Sequence, residues 1–274
     1  MRFVHVGSID CGRPEGADVF HASQLEVDTG ARFHDSALLV LVEDGGFSVT
    51  TRAGSWLARP GALIALGPGQ VHRLRSQSAR GASYRMIQWK PATSPAAFSR
   101  PVINDPRLAM AVQQTHTLLL HSRASGPALR QLALMLARLG ETHGAAGQAL
   151  ASVEDTGLVG RARQFLLERL ALPVKLGAVA SHCGVSVPHL VRAFRAVTGM
   201  PPHAWLTQQR VNGARAMLSR GTALVDVAYA CGFNDQSHLT RMFRTSVGVT
   251  PGRYRRAVLR GRQLSGARER RRDG

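Results

Sequence analysis

Between residues 37 and 90 the apolar side chains fall in short runs separated by turn-forming residues. ALLVLV (37–42) is an unbroken apolar run of strand length, and EDGG (43–46) behind it has the composition of a hairpin turn. FSVTT (47–51) alternates apolar with polar and is rich in β-branched residues, and RAGS marks a further turn. Pro60-Gly61 and Gly67-Pro68-Gly69 then punctuate the short strands of WLARPGALIALGPGQVHRL. SYRMIQWK (83–90) closes the region. Short strands broken at these intervals predict an antiparallel barrel or jelly roll, an architecture with room for a small ligand.

From about Asp105 the period changes from two to between three and four. Residues 106–121 and 127–140 carry Leu and Met at helical spacing; Leu129, Leu132, Leu136 and Leu139 share a face, and Gly140 can stop the helix. Such helices can pack on the barrel, bridge two domains or form a dimer seam. Residues 140–157 (GETHGAAGQALASVEDTG) are small and polar and predict a linker. The rest of the chain reads as helix. Residues 157–170 bring Leu158, Ala162, Phe165 and Leu166 to one side. Two short helices follow, ending at Gly184 and Gly199; Pro201-Pro202 then opens a longer one to Arg220, since proline is tolerated in a first helical turn. ALVDVAYACG and DQSHLTRMFRTSVG repeat the short-helix, turn, helix arrangement, and a charge-dense tail beyond Tyr254 predicts a frayed end.

These last segments form an internal repeat. Leu176, Val179, Ala180, Cys183 and Gly184 recur 48 residues later as Leu224, Val227, Ala228, Cys231 and Gly232. After one extra residue, Leu190, Arg192, Phe194 and Arg195 meet Leu239, Arg241, Phe243 and Arg244 at a spacing of 49. Each copy meets the demands of a helix-turn-helix. A small alanine (Ala180, Ala228) lets two helices cross closely, and a glycine (Gly184, Gly232) supplies the positive φ that leaves the first helix. Ser186 and Asn234 are suited to cap the next helix. The pairs Leu190/Phe194 and Leu239/Phe243 pin that helix to a core and free its opposite face for a major groove. Between the copies, residues 202–219 would make a rod roughly 27 Å long at 1.5 Å per residue. Two readers held by that rod can address successive grooves about 34 Å apart.

Charge sharpens this picture. The 274 residues carry a formal net charge of +18, unevenly placed: 20 Lys/Arg against 5 Asp/Glu from Leu158 onward, and 15 against 12 before it. A basic half joined to a near-neutral half implies one domain built for a polyanion and another for something else. The length allows two domains, and the 44% hydrophobic content allows a buried core. No run approaches the ~18 apolar residues of a membrane span, and the N-terminus lacks a signal peptide's apolar stretch, so a cytoplasmic location away from the membrane is expected. Cys11, Cys183 and Cys231 have neither disulfide-framework nor zinc spacing; the last two occupy equivalent places in the repeat and read as core packing.

The block from Leu158 to Arg255 resembles the DNA-binding domain of the AraC/XylS family of bacterial regulators, most specifically over DVAYACGFNDQSHLTRMFRTSVGVTPGRYR (226–255). Residues 33–90 are similar, more loosely, to the family's cupin-type effector-binding domain. The resemblance implies an α+β chain. On that resemblance residues 1–100 are expected to form a cupin-like antiparallel β-barrel, 101–156 a helical dimerisation or linker region, 157–256 an all-α tandem helix-turn-helix domain and 257–274 a basic tail. It implies a transcription regulator, most often an activator, whose partners are double-stranded promoter DNA, a small-molecule effector, a second copy of the chain and RNA polymerase. Carried over position by position, the DNA-facing residues are Pro188, His189, Val191, Arg192 and Arg195 in the first unit, and Gln236, Ser237, His238, Thr240 and Arg241 in the second. Gln236 suits adenine, and Arg192 or Arg241 suits guanine or a phosphate. The chain departs from the family where Lys175 replaces a capping Ser or Thr, where Gly177 weakens the same helix, and where Pro188 and Val191 replace polar readers.

An enzyme reading finds less support. Cupin-like barrels that hold a catalytic metal use a His-x-His pair, a downstream acid and a later His. Here His34 is followed by Asp35-Ser36, so Glu43 and His72 complete only part of a set. No phosphate loop, dinucleotide fingerprint or nucleophile elbow is present. His34 and His72 are therefore candidate effector-pocket residues, and no cofactor, metal or catalytic residue is expected. The alternative is a metal-binding cupin enzyme or sensor fused to a DNA-targeting module.

Overall fold

The computed structural model describes residues 9–12, 17–89, 98–120, 130, 131, 134, 135, 137–139 and 157–259. They group into two compact units, one built on strands and one on helices.

Among the described residues the first unit holds nine strands: β1 (Ile9–Gly12), β2 (Asp18–Leu25), β3 (Ala37–Asp44), β4 (Phe47–Thr51), β5 (Gly54–Ala58), β6 (Leu63–Leu66), β7 (His72–Ser76), β8 (Ala82–Trp89) and β9 (Val102–Ile103). They form two antiparallel sheets of order β1-β2-β8-β3-β6-β9 and β5-β4-β7; among the described residues no ring of pairings closes. The unbroken apolar run of β3 follows from its central place, because both of its faces are covered. Leu38, Val40 and Val42 enter a core shared with Phe47, Val49 and Leu74 of the smaller sheet. Leu39 and Leu41 enter an outer core with Ile87 and with Val112 and Leu119 of α1 (Pro106–Leu120). Each such side chain stabilises the fold by about 1.5–3 kcal/mol. Asp105 starts α1, its Oδ1 accepting the Arg107 and Leu108 amide hydrogens at 2.9 and 3.1 Å.

Two features differ from expectation. EDGG does not close a hairpin: β3 pairs with β8 and β6, whereas β4 pairs with β5 and β7. Gly45 and Gly46, at φ +79° and +75°, instead carry the chain from one sheet to the other. The glycine at 45 is sterically required, since a Cβ there would lie 2.3 Å from the Gly81 carbonyl oxygen. RAGS, by contrast, does turn a hairpin, with Thr51 opposite Gly54. The β structure also extends beyond residues 37–90 to β1, β2 and β9. Of the leucine face expected over residues 127–140, Leu139 is buried in the outer core; Leu129, Leu132 and Leu136 lie outside the described residues, as do residues 140–156 of the linker expected over 140–157 and the tail from residue 260.

The second unit runs α2 (Leu158–Glu168), α3 (Leu176–His182), α4 (Val187–Thr198), α5 (Pro202–Ser219), α6 (Leu224–Ala230) and α7 (Gln236–Val247), and residues 251–259 are also helical. α5 packs against α2, α4, α6 and α7. Its central position explains why Trp205, Leu206, Val211, Ala214 and Leu218 are buried together with the polar Gln208, Arg215 and Ser219. Among the described residues no helix is long and apolar enough to cross a membrane.

Candidate nucleic-acid interface

The two copies of the repeat fold alike. In the first, α3 ends at Cys183 and Gly184 takes φ +70°. The Val185 amide donates to the Ala180 carbonyl at 3.0 Å and the Gly184 amide to that of Ser181 at 3.1 Å. In the second, Gly232 takes φ +74°, the Phe233 amide donates to Ala228 at 2.9 Å and the Gly232 amide to Tyr229 at 3.0 Å. This paired pattern is the Schellman ending of a helix, in which a left-handed residue satisfies the last carbonyls. Behind the turns, Val179, Ala180, Cys183, Leu190 and Phe194 are buried, and so are Val227, Ala228, Cys231, Leu239 and Phe243. Burial raises the pKa of both cysteines, that of Cys231 to about 11, so each serves as an uncharged core side chain at neutral pH.

The caps differ. Ser186 Oγ accepts the His189 amide hydrogen at 3.4 Å, as expected. In the second copy the cap is Asp235, whose Oδ1 accepts the His238 amide hydrogen at 2.7 Å; Asn234 sits one residue earlier and does not cap. The second turn is therefore one residue longer, which is where the spacing of the repeat changes from 48 to 49. Lys175 caps α3 with backbone only, and Ala223 does the same for α6.

With Leu190 and Phe194 turned inward, α4 leaves Pro188, His189, Arg192 and Arg195 exposed and Val191 half-buried. With Leu239 and Phe243 turned inward, α7 leaves Gln236, Ser237 and Arg241 exposed and Thr240 half-buried. His238 stands apart from these. Its ring lies edge-on to Phe233 with centroids 5.4 Å apart, and its Nδ1 accepts the Asn234 amide hydrogen at 3.4 Å, so it braces the turn.

One part of the repeat escaped the sequence reading. The Phe194 and Trp205 rings meet edge-on at 5.8 Å with Arg163 over Trp205 at 5.4 Å. Phe243 and Tyr254 meet edge-on at 5.5 Å with Arg215 over Tyr254 at 5.9 Å. The second helix of each copy is thus backed by an aromatic pair under a guanidinium, an arrangement that adds cation–π attraction to burial. The signal was present: Trp205 and Tyr254 lie 49 apart, each three residues after a proline at Pro202 and Pro251.

In the β unit, His34 and His72 are both buried and their ring centroids lie 5.2 Å apart, with His72 Nδ1 2.9 Å from the Gln70 carbonyl. Glu43 is engaged elsewhere: Arg85 Nε donates to its Oε1 at 2.6 Å and His21 Nε2 lies 2.9 Å from its Oε2. Arg85 also reaches His116 Nδ1 at 3.3 Å, and His116 Nε2 donates to the Phe20 carbonyl at 2.8 Å. Burial, opposed by that carbonyl and reinforced by Arg85, lowers the His116 pKa to about 4, so the ring is neutral. Among the described residues no group of three or more His, Cys, Asp and Glu is placed to hold a metal ion.

Residues 17–137 match the family model of an AraC-like ligand binding domain, and residues 179–257 that of a helix-turn-helix domain. An uncharacterised HTH-type transcriptional regulator of Bacillus subtilis, YbfI, is 29% identical over 222 residues, covering 76% of this chain and 80% of its own. The transcriptional activator RhaS of Escherichia coli is 34% identical over 88 residues, covering 32% of each chain. The activator NphR of Rhodococcus is 36% identical over 84 residues, 30% of this chain and 25% of its own. In fold, the chain is similar to a crystallised apo form of ToxT from Vibrio cholerae, with a TM-score of 0.60 and 10% identity over 90% of this chain and 99% of that one.

Proposed function

The chain belongs to the AraC family of transcription regulators, and on that premise we propose that α4 and α7 enter successive major grooves of promoter DNA while the β unit takes a small-molecule effector. The observation that carries this reading is the duplicated surface. The same inward pair on each reading helix leaves an arginine outward at equivalent positions, Arg192 and Arg241. Pro188, His189, Val191 and Arg195 accompany the first, and Gln236, Ser237 and Thr240 the second; His238 contributes through the turn that it braces. Direct contacts of this type distinguish base pairs by the donor and acceptor pattern of the major groove.

The domain division at about residues 100, 156 and 256 goes with this reading, as do a homodimer, contact with RNA polymerase, activation as the mode of control and a cytoplasmic location, where a bacterial promoter lies. Fluorescence anisotropy with DNA sites selected by the full-length protein tests it. Arg192→Ala and Arg241→Ala should each weaken binding by about 1–3 kcal/mol and relax preference at one position of the site. Wild-type protein with no salt-sensitive affinity for any duplex would end this reading.

A further inference from the structure

The β unit carries a cleft of about 650 Å³ between the end of β3, the turn at Pro60-Gly61 and the start of α1, reaching Val42 of the core between the two sheets. That volume lies within the range of small-molecule sites. Its apolar surface comes from Leu41 of β3 and from Ala109 and Met110 of α1, with the turn at Pro60-Gly61 alongside. Met110 is 56% exposed there, a large flexible apolar side chain left in solvent. Such a residue adapts its shape to a ligand at little cost.

The polar lining has one sign. Glu43 and Asp105 border the cleft together with the amides of Asn104 and Gln113, and among the described residues no Lys, Arg or His lines it, Arg85 and His21 standing behind Glu43, in a chain whose net charge is +18. Both acids are held in place. Glu43 is fixed by Arg85 and His21, and the Asp105 cap uses Oδ1, leaving Oδ2 without a protein partner among the described residues. Glu43 also connects the cleft to α1, because the guanidinium that holds it reaches His116 Nδ1 at 3.3 Å and Thr117 Oγ1 at 3.5 Å.

We propose that this cleft is the effector site, and that its ligand is a small organic cation with an apolar body, such as a primary amine. The charged group engages Glu43 and Asp105, and the body covers Leu41, Ala109 and Met110. A cation at Glu43 competes with Arg85 and thereby alters the tie between β3, β8 and α1, the helix that walls the cleft. The proposal rests on the regulator reading and deepens it by naming the ligand class.

Hexylamine, hexanoate and hexanol share one body and differ in the head group, so they separate charge from hydrophobic fit. Calorimetric titration of the full-length protein should show binding of hexylamine, with hexanol weaker and hexanoate absent. Asp105→Asn retains a capping side chain but loses the charge; it should weaken hexylamine by about tenfold or more, as expected when a charge-assisted contact is lost. Met110→Trp, at an exposed position, should block all binding by filling the cleft. The proposal is overturned if hexanoate binds at least as well as hexylamine, if none of the three binds, or if both variants bind hexylamine like the wild type. DNA affinity measured on the same samples keeps the two ideas apart: a protein that binds DNA but no amine loses only this ligand assignment.

Discussion

At the scale of single residues, His116 shows how burial becomes a measurable property. Its ring is fully buried, donates from Nε2 to the Phe20 carbonyl and faces Arg85, with Glu43 and His21 nearby. The folded protein therefore resists protonating it until about pH 4, whereas an unfolded chain takes up the proton near 6.5. Between those values the unfolded state binds more protons, so stability rises with pH and is lost as pH falls from 6.5 towards 4. The loss attributable to this one group is on the order of 3 kcal/mol. Gln can replace both ring contacts, donating to Phe20 and accepting from Arg85, without titrating. Urea unfolding at pH 7, 5.5 and 4.5 should show His116→Gln losing less stability than wild type over that interval. Equal pH slopes in the two proteins would mean that the ring is not held neutral by burial.

At the scale of elements, the two helix-turn-helix turns look alike but are built with different tolerance. Gly184 and Gly232 both adopt positive φ, which costs an L-residue about 1–2 kcal/mol. A Cβ at Gly184 meets nothing within 4 Å, whereas one at Gly232 would lie 2.5 Å from the Leu170 carbonyl and 2.9 Å from the Ala171 Cα. Gly184→Ala should therefore cost only that backbone strain, and Gly232→Ala clearly more. Thermal unfolding of the two variants makes the comparison; equal losses would show that the loop at 170–171 yields freely. This asymmetry marks the boundary of what the sequence discloses. Both glycines were legible as turn residues because local geometry demands them, but the close approach of Leu170 is a tertiary fact. The second cap followed the same rule. Asn234 and Asp235 are both good caps, and only the longer turn decides for Asp235. β2 went unread because the adjacent apolar pair Val19-Phe20 and the adjacent polar pair Ser23-Gln24 break its alternation, the latter at a register shift where Gln24 takes φ +50°. EDGG was correctly read as a turn and wrongly as a hairpin, since turn chemistry does not say which sheet the next strand joins. Similarly, His34 and His72 were legible as candidates, while their pairing 38 residues apart was not.

For the molecule as a whole, charge placement separates affinity from sequence preference. The cations of the basic half include the arginines of α4 and α7 and those of the segment from Arg260 to Gly274, which holds six arginines against Glu269 and Asp273. Neutralising phosphates releases counterions whatever the sequence beneath, so each lost phosphate contact makes the dependence of log affinity on log salt shallower by about 0.9. Reading helices act differently, because an arginine fixed against a base edge discriminates one base pair from another. A chain ending at residue 259 should therefore bind every duplex more weakly at low salt and show a shallower salt slope. Its ratio of affinities for the selected site and for an unrelated duplex should hold. Arg241→Ala should do the reverse to the ratio, lowering it while the slope changes by at most about one contact. Titrations at several salt concentrations with both duplexes measure slope and ratio together. An unchanged slope would show that the terminal arginines touch no phosphate, and a collapsed ratio would move part of the recognition into that segment.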